Sequence, residues 1–153
     1  MAIIIALIFP LTFHANAKIT TMSKQNNSPL HYNALIQAYI QGYNHLNVEA
    51  MLQPLHPNVV FEHWQNGQRL LQLHGKAAFE QQAKAVLPLF TSRQQTIVSI
   101  QHDSHTAVIQ VHYQAVWSAT PPPGMQPGNT FEAVGNTEFE FADGYIILVK
   151  DSM

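Results

Sequence analysis

The sequence predicts an α+β domain, a cone-shaped, strongly curved antiparallel sheet wrapped around three N-terminal helices. Three observations carry this. Apolar residues recur at helical spacing in 35–52 and 79–90, and at strand spacing through most of 96–151. Turn-forming pairs such as Asn66-Gly67 and Asp143-Gly144 separate the alternating runs. The resulting order is helix, helix, hairpin, helix and four antiparallel strands, which gathers the helices on one face of the sheet.

Ser28-Pro29 opens the first helix, with a capping hydroxyl followed by Pro at the first helical position. Leu35, Ala38, Tyr39, Gly42, Tyr43 and Leu46 are expected to line its buried face. Asn47 caps a short second helix that carries Val48, Met51 and Leu52 and stops at Pro54. His56-Pro57-Asn58 reads as a turn, and Val59 to Trp64 as a strand with Val59, Phe61 and His63 on one face. Leu70 to His74 returns beside it. The third helix comes after Gly75 with Phe79, Ala83, Val86, Leu87 and Phe90, and Pro88 should kink or end it.

The rest of the chain reads as strands. Thr96–Gln101 and Thr106–Trp117 flank a polar turn at 102–105, and Ala119–Gly128 is too rich in Pro and Gly for a regular element. Asn129–Phe141 is a long strand with an expected bulge at Gly135. After the Asp143-Gly144 turn, Tyr145–Asp151 closes the sheet. Strict alternation puts Ile147, Val149 and Asp151 on one of its faces and Ile146, Leu148 and Lys150 on the other. A strand apolar on both faces needs cover on both, so a homodimer packed sheet to sheet is expected.

Composition narrows the function classes. Charged residues make up only 10% of the 153, so much of the surface must be uncharged, and net charge is −2, which argues against a nucleic-acid partner. Nine His add nine positive charges if all are protonated, so mild acid should alter the protein strongly. The absence of Cys excludes disulfides and thiol nucleophiles. Neither a metal site nor a cofactor motif is seen: no His pair sits at ligand spacing, and there is no phosphate loop or Ser nucleophile elbow. Residues 1–21 are expected to stand outside the fold, 22–29 to form a flexible lead-in, and 30–153 to form a single domain. Ala2–Phe13 is apolar and too short to span a bilayer, and Ala15-Asn16-Ala17 suits a cleavage site. With a signal peptide over residues 1–17 the protein is periplasmic or secreted. With a start at Met22 it is cytoplasmic. Both remain open.

Tyr39 in the first helix, Val59-Val-Phe-Glu-His-Trp64, Gly75-Lys-Ala-Ala-Phe79 and Gly135-Asn-Thr-Glu-Phe-Glu-Phe-Ala-Asp-Gly144 together resemble the nuclear-transport-factor-two-like superfamily. The SnoaL-like branch, related to polyketide cyclases and ketosteroid isomerase, is the most similar. The resemblance implies the cone fold over about 30–153. It also implies that Tyr39 stands where ketosteroid isomerase keeps its oxyanion Tyr, His63 where it keeps an Asp base, and Thr137 near its protonated Asp. Asp151 matches a strand-end acid of many SnoaL-like sequences.

The candidate catalytic set is therefore His63, Tyr39 and Asp151. Tyr43, Phe61, Thr137, Phe139, Val149 and His112 are candidates for ligand binding. Each has an ordinary alternative: core aromatics for the Tyr pair, a backbone-satisfied core His for His63, a solvated chain end for Asp151, and a solvent face for His112. Two functions fit. One is a cofactor-free acid–base enzyme, an isomerase, cyclase or lyase acting on a small apolar carbonyl compound. The other is a non-catalytic binding module of the same fold. An accessible His63–Asp151 pair would support the first, and a sealed or outward-facing member the second.

Overall fold

The structure, a computed structural model, describes residues 28–153. Expectations for the leader and alternative start therefore lie outside the described residues. Among the described residues no helix is long and apolar enough to cross a membrane.

Helix α1 spans Pro29–Asn44, and the Ser28 hydroxyl accepts from the His31 amide at 3.3 Å. Its buried residues are Tyr32, Ile36, Tyr39, Ile40 and Gly42. Ala38 is exposed, and Leu46 lies beyond the helix in a turn with φ of 55°. The real stripe is thus rotated from the expected one, since the larger Ile36 and Ile40 bury more apolar surface than Ala38 would. Helix α2, Val48–Leu52, is capped by the Asn47 side chain, which accepts from the Ala50 amide at 3.0 Å. It packs directly on the backbone of Gly42, where a Cβ would stand 2.6 Å from the Met51 nitrogen.

Strand β1 runs Leu55–Gln65 and β2 runs Gln68–His74. The expected turn at 56–58 is instead a break in pairing within β1, between Leu55 and Val60. Helix α3 covers Lys76–Val86 and ends in a 3₁₀ turn, Leu87–Leu89, because Pro88 cannot donate to the helical ladder. Phe90 is not on that helix. It begins β3, Phe90–Asp103, so the polar run 91–95 is strand. Strands β4 (Thr106–Trp117), β5 (Thr130–Ala142) and β6 (Tyr145–Ser152) complete the set.

The six strands form one sheet in the order β2-β1-β6-β5-β4-β3. Every neighbouring pair is antiparallel except β1 and β6, which run parallel, a departure from the expected all-antiparallel pairing. Asp143 and Gly144 have φ of 54° and 77°, the left-handed pair that a two-residue hairpin requires. No bulge occurs at Gly135, whose pairing with Val111 is unbroken. Glycine is needed there for another reason: a Cβ would meet the Ser152 carbonyl oxygen at 2.9 Å. The irregularity lies further along, where Phe141 pairs with Ile146 and Glu140 with Leu148, leaving Ile147 extra. This resets the alternation. Ile146, not Ile147, joins Val149 inside, and both are fully buried. One of the two residues expected to need a second cover is thus already covered.

The helices pack against the inner face of the sheet. Tyr32, Ile36, Leu55, Ile109, Phe139 and Ile146 belong to the main core, and a smaller cluster gathers Phe90, Tyr113, Ala115 and Trp117.

Candidate ligand pocket

Parallel pairing of β1 with β6, and antiparallel pairing of β6 with β5, align three polar side chains across the inner face. His63 pairs with Asp151, and Asp151 with Thr137. Alternation along each strand turns them the same way as Phe61, Val149 and Phe139. A pocket opens beside this row, with a cavity volume of about 90 Å³. Helix α1 supplies Tyr39 and Tyr43 to its wall, α3 supplies Phe79, and Asp151 and Thr137 form one corner.

That corner is chemically unusual. The Thr137 hydroxyl donates to Asp151 Oδ1 at 2.8 Å. Burial raises the Asp151 pKa from 3.8 to about 6, and the Thr137 bond pulls weakly the other way. Tyr39 is buried nearby, and among the described residues its hydroxyl has no hydrogen-bond partner. Burial first, and then the Asp151 charge, raise the Tyr39 pKa, so its phenol stays protonated and can donate.

His63 is placed differently. It is 3% exposed, lies beneath the wall rather than in it, and its Nδ1 has no partner among the described residues. Burial lowers its pKa, so it is neutral at neutral pH. The row therefore pairs a neutral imidazole with a carboxyl that holds its proton unusually well.

The opposite side is lined by Arg93, Tyr113 and Gln95, none of them singled out by the sequence. Arg93 is 5% exposed, and its guanidinium lies 3.7 Å from the Tyr43 ring centre. Its Nε donates to the Tyr43 carbonyl at 3.1 Å, and Nη2 approaches the Met51 sulfur at 3.6 Å. The Tyr43 hydroxyl donates to that of Tyr113 at 2.9 Å. Tyr113 stands on the inward face of a strand that the sequence does predict, so alternation could have found it. Arg93 carries no such signal, because a strand that begins at Thr96 leaves it in a loop.

The other candidates divide clearly. Tyr43, Phe61 and Thr137 line the pocket with Tyr39 and Asp151. Phe139 and Val149 are fully buried behind the wall, Phe139 edge-on to Tyr39 with ring centres 5.9 Å apart. His112 is partly exposed, pairs with Val134 and Thr96, and lies on the outward face away from the pocket. Among the described residues no three His, Asp or Glu side chains cluster as a metal site.

The SnoaL-like domain profile matches residues 36–149. A solved structure assigned as a polyketide cyclase, from Xanthomonas campestris pv. campestris, superposes with a TM-score of 0.68 at 22% identity, over 81% of this chain and 90% of that one. A protein assigned as a SnoaL-like polyketide cyclase, from Jannaschia sp. CCS1, gives 0.68 at 12% identity over 84% and 90%. A Catenulispora acidiphila protein with a ketosteroid isomerase-like fold gives 0.64 at 12% over 76% and 82%. At these identities the likeness speaks for the fold. No match is found among curated proteins. The profile spans most of the chain and the cone architecture agrees with it, so this protein belongs to the SnoaL-like domain family, within the nuclear-transport-factor-two-like fold.

Proposed function

We propose that the pocket is a cofactor-free acid–base site acting on a small, mostly apolar carbonyl compound. The observation that carries this is the Asp151 corner: a carboxyl with one oxygen held by Thr137, in the wall of an apolar pocket beside the unpartnered Tyr39 hydroxyl. A carboxylate with a pKa of about 6 is a stronger base than an ordinary Asp and is still ionised at neutral pH. In this scheme Asp151 takes a proton from the carbon next to the carbonyl and returns it elsewhere. Tyr39 donates a hydrogen bond to the oxygen that gains charge. His63, neutral and behind the wall, positions β1 against Asp151 and does not itself move the proton. The reaction class is isomerisation, cyclisation or elimination.

The probe is a panel of small ketones and lactones in D₂O, with loss of the α-proton signal followed by NMR. Exchange should rise with pH through about 6, as Asp151 ionises. Asp151→Asn should lower it by roughly 10²-fold or more, and Tyr39→Phe by roughly 10–10²-fold. Unchanged exchange in Asp151→Asn would rule the scheme out.

Non-catalytic ligand binding by the same pocket is the second function, and the burial of His63 outside the wall favours it. It predicts a ligand that raises the melting temperature with no exchange in either protein. We also infer that two copies pair through the outward face of β3–β5, where Val98 and Val134 are 60% and 61% exposed. Light scattering that gives a clean monomer at micromolar concentration would exclude this.

A further inference from the structure

Among the described residues, Arg93 is a buried cation without a counter-ion. It forms no ion pair among the described residues. An Arg cannot shed its charge, and taking that charge out of water costs several kcal/mol unless something compensates. Stacking on Tyr43, one ordinary hydrogen bond to its carbonyl and one weak bond to the Met51 sulfur compensate in part and leave N–H donors over. A second group close by is also unsatisfied: the Gln95 Oε1 is buried with no partner among the described residues. Both residues line the same cavity from the edge strand β3, which β4 separates from the β5 and β6 strands that carry Thr137 and Asp151. Asp151 is no substitute partner: its carboxyl is held by Thr137, and it forms no ion pair with Arg93. Tyr39 lines the same cavity as both Arg93 and Asp151.

We propose that the Arg93 side of the pocket is an anion subsite, and that the natural ligand is a small organic acid whose carboxylate pairs with Arg93 while its apolar body lies against Phe79 and Phe61. A carboxylate matches the planar donor fork of a guanidinium and supplies the missing counter-charge. The unsatisfied Gln95 Oε1 adds one hydrogen-bond acceptor, so a hydroxyl on the ligand beside its carboxylate fits better than a bare acid. A cavity of about 90 Å³ limits the ligand to roughly six to nine non-hydrogen atoms, at ~10–15 Å³ for each water-sized site. This deepens the acid–base proposal, but its binding half stands without it. The carboxylate sets which compounds enter, and Asp151 sets whether they react.

The test compares two probes of equal size and shape, benzoate and benzamide, by titration calorimetry at about pH 5.5, where benzoate is ionised and Asp151 holds much of its proton. Wild-type protein should bind benzoate at least tenfold more tightly. Arg93→Gln should lose that preference while keeping its affinity for benzamide. Arg93→Lys, which keeps the charge and is the safer variant for folding, should retain part of the preference. Equal affinity for the two probes in the wild type, no binding of either at millimolar concentration, or an undiminished preference in Arg93→Gln would each overturn the proposal. Asp151→Asn should leave the preference intact. A protein that prefers benzoate yet exchanges no α-protons keeps the anion subsite and loses the acid–base scheme, and the reverse result does the opposite.

Discussion

The two ends of the cone are built from the same materials and finished differently. At the closed end Tyr32 stacks on Phe141 with ring centres 4.0 Å apart, and its hydroxyl lies 3.1 Å from His105 Nδ1. His31 Nε2 is 3.3 Å from the Gly144 carbonyl oxygen, and His102 Nε2 is 2.8 Å from Asn33 Oδ1. Polar groups there have partners. At the open end, about 10 Å along α1 from Tyr32 to Tyr39 at 1.5 Å per residue, Tyr39, Arg93, Gln95 and His63 all carry polar atoms or charge left without a full set of partners among the described residues. Folding alone favours satisfied polar groups. Unsatisfied ones in and just behind one cavity wall are what the proposed binding role would require there.

Substitutions at each end break or sharpen this contrast. The largest effect on stability is expected from Phe141→Ala at the closed end, about 3–5 kcal/mol lost in urea unfolding, with no change in ligand preference beyond the loss of folded protein. Next comes Asp151→Asn at the open end, with the opposite sign. The folded pKa of about 6 exceeds the ordinary 3.8, so the folded state binds the proton more tightly than the unfolded chain. The contribution of Asp151 to stability is full below about pH 4, falls as pH rises through about 6, and stays low above that. Asp151→Asn should therefore raise stability at pH 8 by up to about 3 kcal/mol and flatten the pH profile between 4 and 6. A wild-type profile without that fall would contradict the buried carboxyl. His63 acts in reverse. Its lowered pKa means that stability is lost as pH falls below about 6.5.

Gly42→Ala, between the ends, should cost about 1–3 kcal/mol, because the new methyl meets backbone that cannot swing aside. The smallest effect is that of Tyr32→Phe. It removes one partly buried hydrogen bond and should cost about 1 kcal/mol in thermal unfolding, with α-proton exchange at the open end unchanged. Loss of exchange in that variant would mean that the two ends are not independent.

Most of the elements are legible because their signals are local. The Ser28 and Asn47 caps, the Asp143-Gly144 turn and the alternation of β4 each depend on a few neighbouring residues. Tyr39 and Asp151, placed by resemblance and by register, line the pocket together. Expectation and structure part where pairing between strands overrides local pattern. Strict alternation puts Ile146 outside, and one extra residue at Ile147 turns it inside. The polar run from Thr91 to Gln95 has no strand signature of its own, yet pairing with β4 makes it strand and carries Arg93 into the pocket.

The sequence by itself therefore determined the α+β order, the hairpins, the helix caps and the inward alternation, since each depends on the φ/ψ preferences and polarity of adjacent residues. Tertiary structure alone decided which polar groups end up without partners. That depends on packing between residues far apart in the chain: β1 laid parallel to β6 to set His63 beside Asp151, and β3 brought under α1 to set Arg93 against Tyr43. The chemistry proposed for the pocket rests on those long-range pairings, because burial raises the Asp151 pKa and leaves Arg93 without an ion pair among the described residues.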